Sequence, residues 1–233
     1  MTDHKEIYQQ EGAQYQRLIE REDYRENLLP ALKKVSALNG LDVLDLGSGT
    51  GRLAHLLSPH VRSVHALDRS PHMLEVAAER LRIQGSGNWQ VSAGDSRYLP
   101  LEENSADLVV SGWSICYLVV WEDIKWKHEL ESALLEIRRV LRPGGMIILI
   151  ESLGTGNEQP EEPDKLREYF RFLEHQGFQQ SWIRTDYRFD SLQEAQELAS
   201  FFFGEEMMNK IWEEPQPILP ECTGIWWSRL KEI

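Results

Sequence analysis

The stretch Val43-Leu44-Asp45-Leu46-Gly47-Ser48-Gly49-Thr50-Gly51-Arg52 constrains the fold more than any other part of this chain. An apolar run of strand length breaks into a turn carrying three glycines, and a helical pattern follows. A strand feeding a helix through a tight turn is half of a βαβ unit, and such units build parallel sheets. Glycine at the turn lets backbone amides approach a ligand closely. On its own the turn reads equally as a tight strand-to-helix connection, so the flanking residues must decide.

They argue against two nucleotide sites. The dinucleotide fingerprint G-x-G-x-x-G requires glycine where this chain has Arg52, and Asp45 ahead of the turn would repel a pyrophosphate. The P-loop pattern fails because no Lys-Ser or Lys-Thr follows the turn. Asp45 instead suits a ligand bearing positive charge. Asp68, closing the next apolar run, can accept hydrogen bonds from both hydroxyls of a ribose, and Gly94-Asp95-Ser96 offers a further polar group after the third run. Three strand ends thus present acids at one carboxyl edge, where open α/β sheets bind their ligands.

Strands are expected at residues 41–46, 63–67, 89–93, 107–111 and 146–151. A helix is expected over residues 71–83, with Ser70 as N-cap and Pro71 in its first turn. A second carries Leu130, Leu134, Ile137 and Leu141 on one face and ends at Arg142-Pro143-Gly144-Gly145. Residues 5–29 read as one amphipathic helical pattern and 154–163 as an exposed loop. Beyond it come a helix over 164–176, a strand over 178–189, a helix opening at Ser191 and a last strand over 224–230. The 233 residues fit one domain. It comprises a helical cover (1–36), a ligand-binding core (37–151) and a sheet extension that also supplies a lid (152–233).

The run from Val43 to Gly51, with Asp68, Met73-Leu74, Gly94-Asp95-Ser96, Asp107-Leu108-Val109-Val110 and Leu141-Arg142-Pro143-Gly144-Gly145, resembles the class I methyltransferases that depend on S-adenosyl-L-methionine. The resemblance covers roughly residues 41–151. It implies an α/β, doubly wound, Rossmann-like sheet of seven strands in the order 3-2-1-4-5-7-6, the seventh antiparallel, with helices on both faces. It also implies transfer of a methyl group from the cofactor to an oxygen, nitrogen or carbon on a small-molecule acceptor. Carried over residue by residue, it puts Gly47, Ser48, Gly49 and Gly51 around the methionine part of the cofactor and Asp45 near its ammonium group. Asp68 would hold the ribose. Asp95 and Ser96 would meet the adenine, and Arg69 and Met73 would cover its faces. Arg69 reads equally as a solvated side chain and Met73 as a core residue. Ser111, Gly112 and Trp113 would stand where methyl donor and acceptor meet.

The same segment argues against other chemistries. Enzymes that methylate exocyclic amines of DNA bases carry Asn or Asp, Pro-Pro and an aromatic where this chain has Ser111-Gly112-Trp113-Ser114. A G-x-S-x-G elbow fails at Cys116. With 25 basic and 38 acidic side chains the formal charge is −13, which disfavours nucleic acid as partner. Scattered histidines and the cysteines Cys116 and Cys222 give no metal pattern and no disulfide scaffold. No apolar run is long enough to span a membrane, and the expected location is the cytoplasm. Trp113 and Tyr117 are placed to line a pocket, and Tyr8, Tyr15 and Tyr24 read equally as a lid over it and as part of a surface amphipathic pattern. Trp126, the run Phe201-Phe202-Phe203 and Trp226-Trp227 fit packing better. No general base is assigned, His128 and Tyr117 being the candidates. A nicotinamide-dependent oxidoreductase and a non-catalytic nucleoside-binding module are the competing readings. The acceptor, the attacking atom and the oligomeric state stay open.

Overall fold

The computed structural model describes residues 4–121, 124–213 and 215–230. In chain order they form α1 (His4–Gln10), α2 (Gly12–Ile19), α3 (Leu28–Val35), β1 (Asp42–Leu46), α4 (Arg52–Leu57), β2 (Ser63–Asp68), α5 (Pro71–Gln84), β3 (Trp89–Ala93) and β4 (Ala106–Gly112). Then follow α6 (Cys116–Val120), α7 (Trp126–Val140), β5 (Leu141–Thr155), α8 (Arg167–His175), β6 (Gln179–Arg184), β7 (Tyr187–Arg188), α9 (Leu192–Phe203), β8 (Ile218–Leu219) and β9 (Glu221–Arg229). Among the described residues no helix is long and apolar enough to cross a membrane.

Seven strands make one sheet in the order β3-β2-β1-β4-β5-β9-β6. β1 to β5 run parallel and β9 is antiparallel to both of its neighbours. Counted within this sheet β9 is the seventh strand, so the expected order holds. Along β5 the pleat divides the core: Ile147 and Leu149 join one apolar cluster while Met146, Ile148 and Ile150 join the other. The first cluster is completed by α7 and α8 through Leu130, Leu134, Ile137, Tyr169 and Phe170. The second is completed by α3 and α4 through Leu28, Leu32, Leu53 and Leu57. A smaller cluster joins Leu18 of α2 to Leu198 and Ala199 of α9, packing an early helix against a late one.

Local chemistry explains the elements that match expectation. The Ser70 hydroxyl accepts from the Met73 amide and Ser191 from the Glu194 amide, each capping its helix. α5 ends at Gly85 with φ +75°, a left-handed close. Trp126 packs at the edge of the first cluster against Phe172, and Trp226 is fully buried, stacked on Phe170.

Three expectations are corrected. The helical pattern of residues 5–29 is broken into α1 and α2, and α3 opens separately. The left-handed Asp23 (φ 57°) reverses the chain, and its carboxylate takes the amides of Asn27 and Leu28 at 2.9 Å each. α7 stops at Val140, and Leu141 already belongs to β5, because Pro143 biases the residue before it toward extended backbone and no helix can run through it. The strand expected over 178–189 is two, β6 in the sheet and β7 paired with β8. Asp186 ends the first by accepting the Glu221 amide at 2.9 Å.

Candidate active site

β1, β2 and β4 end side by side, and β1 lies where the strand order reverses, the usual place for a ligand in such sheets. A cavity of about 610 Å³ opens there, within the range of small-molecule sites.

Its floor is the turn after β1. The amides of Gly47 and Ser48 donate to the Leu67 carbonyl at 2.7 and 3.0 Å, tying the turn to β2. Gly47, Gly49 and Gly51 all have positive φ, which glycine alone adopts without strain. The Gly49 amide donates to Asp68 Oδ2 and the Ser70 amide to Oδ1, both at 2.8 Å, so one carboxylate at the end of β2 sets two loops. Burial raises the Asp68 carboxyl above its usual range, against those amides. Asp45 lies below the turn, 1% exposed, its Oδ2 accepting the Ala54 amide at 2.8 Å. The α4 N-cap is Gly51, which has no side chain, and Asp45 does the capping in its place. Burial, with Asp68 nearby, pushes the Asp45 carboxyl up to about 7.

The opposite wall is aromatic. α1 lies across the opening, its Tyr8 carbonyl taking the Ser70 hydroxyl at 2.8 Å and its Tyr8 hydroxyl 2.6 Å from that of Tyr117 on α6. Tyr15 meets Tyr8 edge-on at 5.3 Å, and Trp121 stacks on Tyr117 at 4.4 Å. Trp113 has φ 50°, a left-handed backbone uncommon for a bulky residue and one that gathers at functional sites. The Arg52 guanidinium lies 4.2 Å over its ring and pairs with the buried Glu22.

Of the residues singled out from sequence, Asp45, Gly47, Ser48, Gly49, Asp68, Arg69, Met73, Ser96 and Trp113 line this cavity. Arg69 is mostly exposed and Met73 is buried on α5, so both alternatives read for them describe part of their surroundings. Gly51, Asp95 and Ser111 do not line it. A Cβ on Gly51 would stand 2.9 Å from that of Ala77, so this glycine serves the approach of α4 to α5. Ser111 is buried and donates to the Leu46 carbonyl at 2.8 Å, bridging β4 to β1. The Asp95 carboxylate is held by Arg97 through Nε at 2.8 Å and Nη2 at 2.7 Å, which keeps it below the usual carboxylate range. Tyr24 stands away from the cavity under Arg188, and His128 is exposed beside Glu129. Residues 152–230 do not line the cavity; Phe202 supports its aromatic wall from behind, 5.4 Å from Tyr15.

Arg52, His72 and Lys5 line the site without having been singled out for it. The Arg52 partner lies thirty positions away, and no spacing in sequence couples them.

A family model described as a methyltransferase domain matches residues 44–149, the segment that builds this floor and the strands beneath it. Over these residues the chain is similar to a methyltransferase domain. Among curated relatives, a demethylmenaquinone methyltransferase of Lactococcus lactis is 34% identical over 124 residues, covering 52% of this chain and 46% of that protein. A malonyl-[acyl-carrier protein] O-methyltransferase of Serratia marcescens is 36% identical over 120 residues, covering 52% and 41%. These matches span about half the length of the curated relatives. A SAM-dependent methyltransferase from Aquifex aeolicus superposes with a TM-score of 0.56 at 20% identity, over 93% of this chain and 97% of that one, a likeness of fold.

Buried carboxyls give this protein a pH signature. Burial pushes Asp45 and Glu151 up to about 7 and Glu221 up to about 8, against unfolded values of about 4. Between those limits the folded state holds more protons than the unfolded chain, so stability falls as pH rises. The thermal midpoint should drop from about pH 5 to about pH 8. Glu151→Gln can still accept from the Cys116 amide and the Tyr169 hydroxyl, and should flatten part of that slope. A midpoint that is level across the window, or rises, would contradict the assignment.

Proposed function

We propose that this protein transfers the methyl group of S-adenosylmethionine to a nucleophile on a small-molecule acceptor. The observation that carries the reading is the cavity itself, floored by the pinned glycine turn and Asp68 and walled on the far side by a different, aromatic set of residues. The floor fits the cofactor: a Cβ added at Gly49 meets nothing within 4 Å, so the turn leaves open space on its outer side. In this reading Gly47, Ser48 and Gly49 face the methionine part and Asp45 attracts its ammonium group. Asp68 takes the ribose hydroxyls, while Ser96, Met73 and Arg69 surround the adenine. Asp95 orders that loop through Arg97, and Gly51 and Ser111 support the floor from outside the cavity.

When bound, the cofactor supplies a sulfonium carbon already reactive toward nucleophiles. The residues of this chain then act chiefly by holding the acceptor in line and excluding water, and positioning of this kind contributes about 7–11 kcal/mol. The two curated relatives are named for unlike acceptors, so the acceptor class has to be argued from this cavity.

The test is calorimetric titration with S-adenosylmethionine, S-adenosylhomocysteine and NAD. The first two should bind and NAD should not. Asp68→Ala should weaken both by about 1.5–3 kcal/mol through lost hydrogen bonds to a charged acceptor. Wild-type affinity in that variant would remove Asp68 from the site, and tight NAD binding would overturn the reading.

A further inference from the structure

The aromatic wall has a chemistry of its own. Tyr8, Tyr15, Trp113, Tyr117 and Trp121 come from α1, α2, the turn after β4 and the α6 region, and all five line the cavity. Among the described residues of the lining the carboxylates are Asp45 and Asp68, on the opposite, glycine side, whereas Lys5 and the Glu22-paired Arg52 stand among the aromatics. A cationic acceptor would therefore meet like charge there, and a neutral or anionic one would not. Rings that present faces and edges hold a flat π-system better than an aliphatic chain.

Hydrogen bonding gives the wall a direction. His4 Nε2 lies 3.0 Å from the Phe202 carbonyl, which can only accept, so Nε2 is the donor there, and in the tautomer protonated at Nε2 alone Nδ1 is an acceptor. Tyr117 Oη is 3.4 Å from that Nδ1 and in this tautomer is the group that can donate to it. With its proton directed to His4, the Tyr117 oxygen takes the Tyr8 hydroxyl 2.6 Å away as donor and keeps one lone pair. Burial raises the phenols of Tyr8, Tyr15 and Tyr117, so they remain hydroxyl groups around neutrality.

Resting on the function proposed above, we infer that the acceptor is a flat hydroxyaromatic molecule, neutral or anionic, packed among the rings of this wall with its hydroxyl donating to Tyr117 Oη.

The inference is tested on the whole protein by titration with para-hydroxybenzoate, para-methoxybenzoate, cyclohexanecarboxylate and benzylammonium, with and without saturating S-adenosylhomocysteine. Para-hydroxybenzoate should bind about tenfold more tightly than the saturated carboxylate of the same charge, and benzylammonium weakest of the arenes. The hydroxyl should be preferred over the methoxy group by about threefold to tenfold, and Tyr117→Phe should erase that preference while leaving the preference for a ring. The wild-type series decides even if the variant folds poorly. Equal binding of cyclohexanecarboxylate, tighter binding of benzylammonium, or no binding of any arene overturns the inference. If S-adenosylhomocysteine binds and the arenes show no preference, only the acceptor class falls. If S-adenosylhomocysteine does not bind, the methyl-transfer reading falls, and the cofactor-free arm still decides whether the wall selects hydroxyarenes.

Discussion

Glu22→Ala is expected to destabilise the fold by about 3–5 kcal/mol, the cost of breaking a buried ion pair from one side. The Glu22 side chain is 2% exposed and that of Arg52 16%. Glu22 takes the Arg52 guanidinium and, at 2.9 Å, the Tyr187 hydroxyl on a single oxygen, so one carboxylate joins the turn after α2, the start of α4 and β7. Its loss leaves a cation in the interior without a counter-charge and a phenol without an acceptor. Arg52 also stacks on Trp113, so the damage should extend to the cavity wall. Removing the charge at both ends, as in Glu22→Gln with Arg52→Met, should cost less than Glu22→Ala alone. Urea denaturation measures both. A Glu22→Ala variant within about 1 kcal/mol of wild type would show that the pair contributes little beyond a surface bridge.

Gly47→Ala should lose both stability and cofactor binding. An added Cβ would stand 1.8 Å from Ser114 Oγ and 2.5 Å from Ser114 Cβ, and the backbone has φ +69°. The left-handed conformation costs about 1–2 kcal/mol for a residue with a Cβ, and forced repacking about 1–3 more. Ser114 sits between the strained Trp113 and α6, so its displacement should move the aromatic wall as well as the floor. Gly49→Ala provides the control within the same turn. Its Cβ meets nothing within 4 Å, so it bears only the conformational cost. Adding Ser114→Gly to Gly47→Ala should recover the steric share and leave the conformational one. If Gly47→Ala and Gly49→Ala prove equally stable in thermal denaturation, the close approach of Ser114 to Gly47 is not what demands glycine there.

The amino-acid sequence by itself determined the parts of this protein that depend on neighbours along the chain. The breaks from β1 into the glycine turn, the serine caps of α5 and α9, and the acids closing β1 and β2 are set by residues a few positions apart, where steric limits and capping hydrogen bonds act directly. The order of the sheet was legible through the family resemblance, since parallel strands linked by helices admit few arrangements. What the tertiary structure decided was which side chains share a space. Asp95 follows β3 as a site residue would, yet Arg97, two positions on, folds back and takes its carboxylate. Ser111 alternates inward along β4 but spends its hydroxyl on β1, and Gly51 answers to Ala77 on another helix. The break of residues 178–189 came from Asp186 meeting a strand that lies far along the chain. The pairing of Glu22 with Arg52 and the gathering of Tyr8, Tyr15, Tyr117 and Trp121 have no periodic signature either. They arise because α2 docks on α9 and α1 lies across the strand ends, contacts made by burial of nonlocal apolar surface, which is nondirectional and leaves no spacing to read.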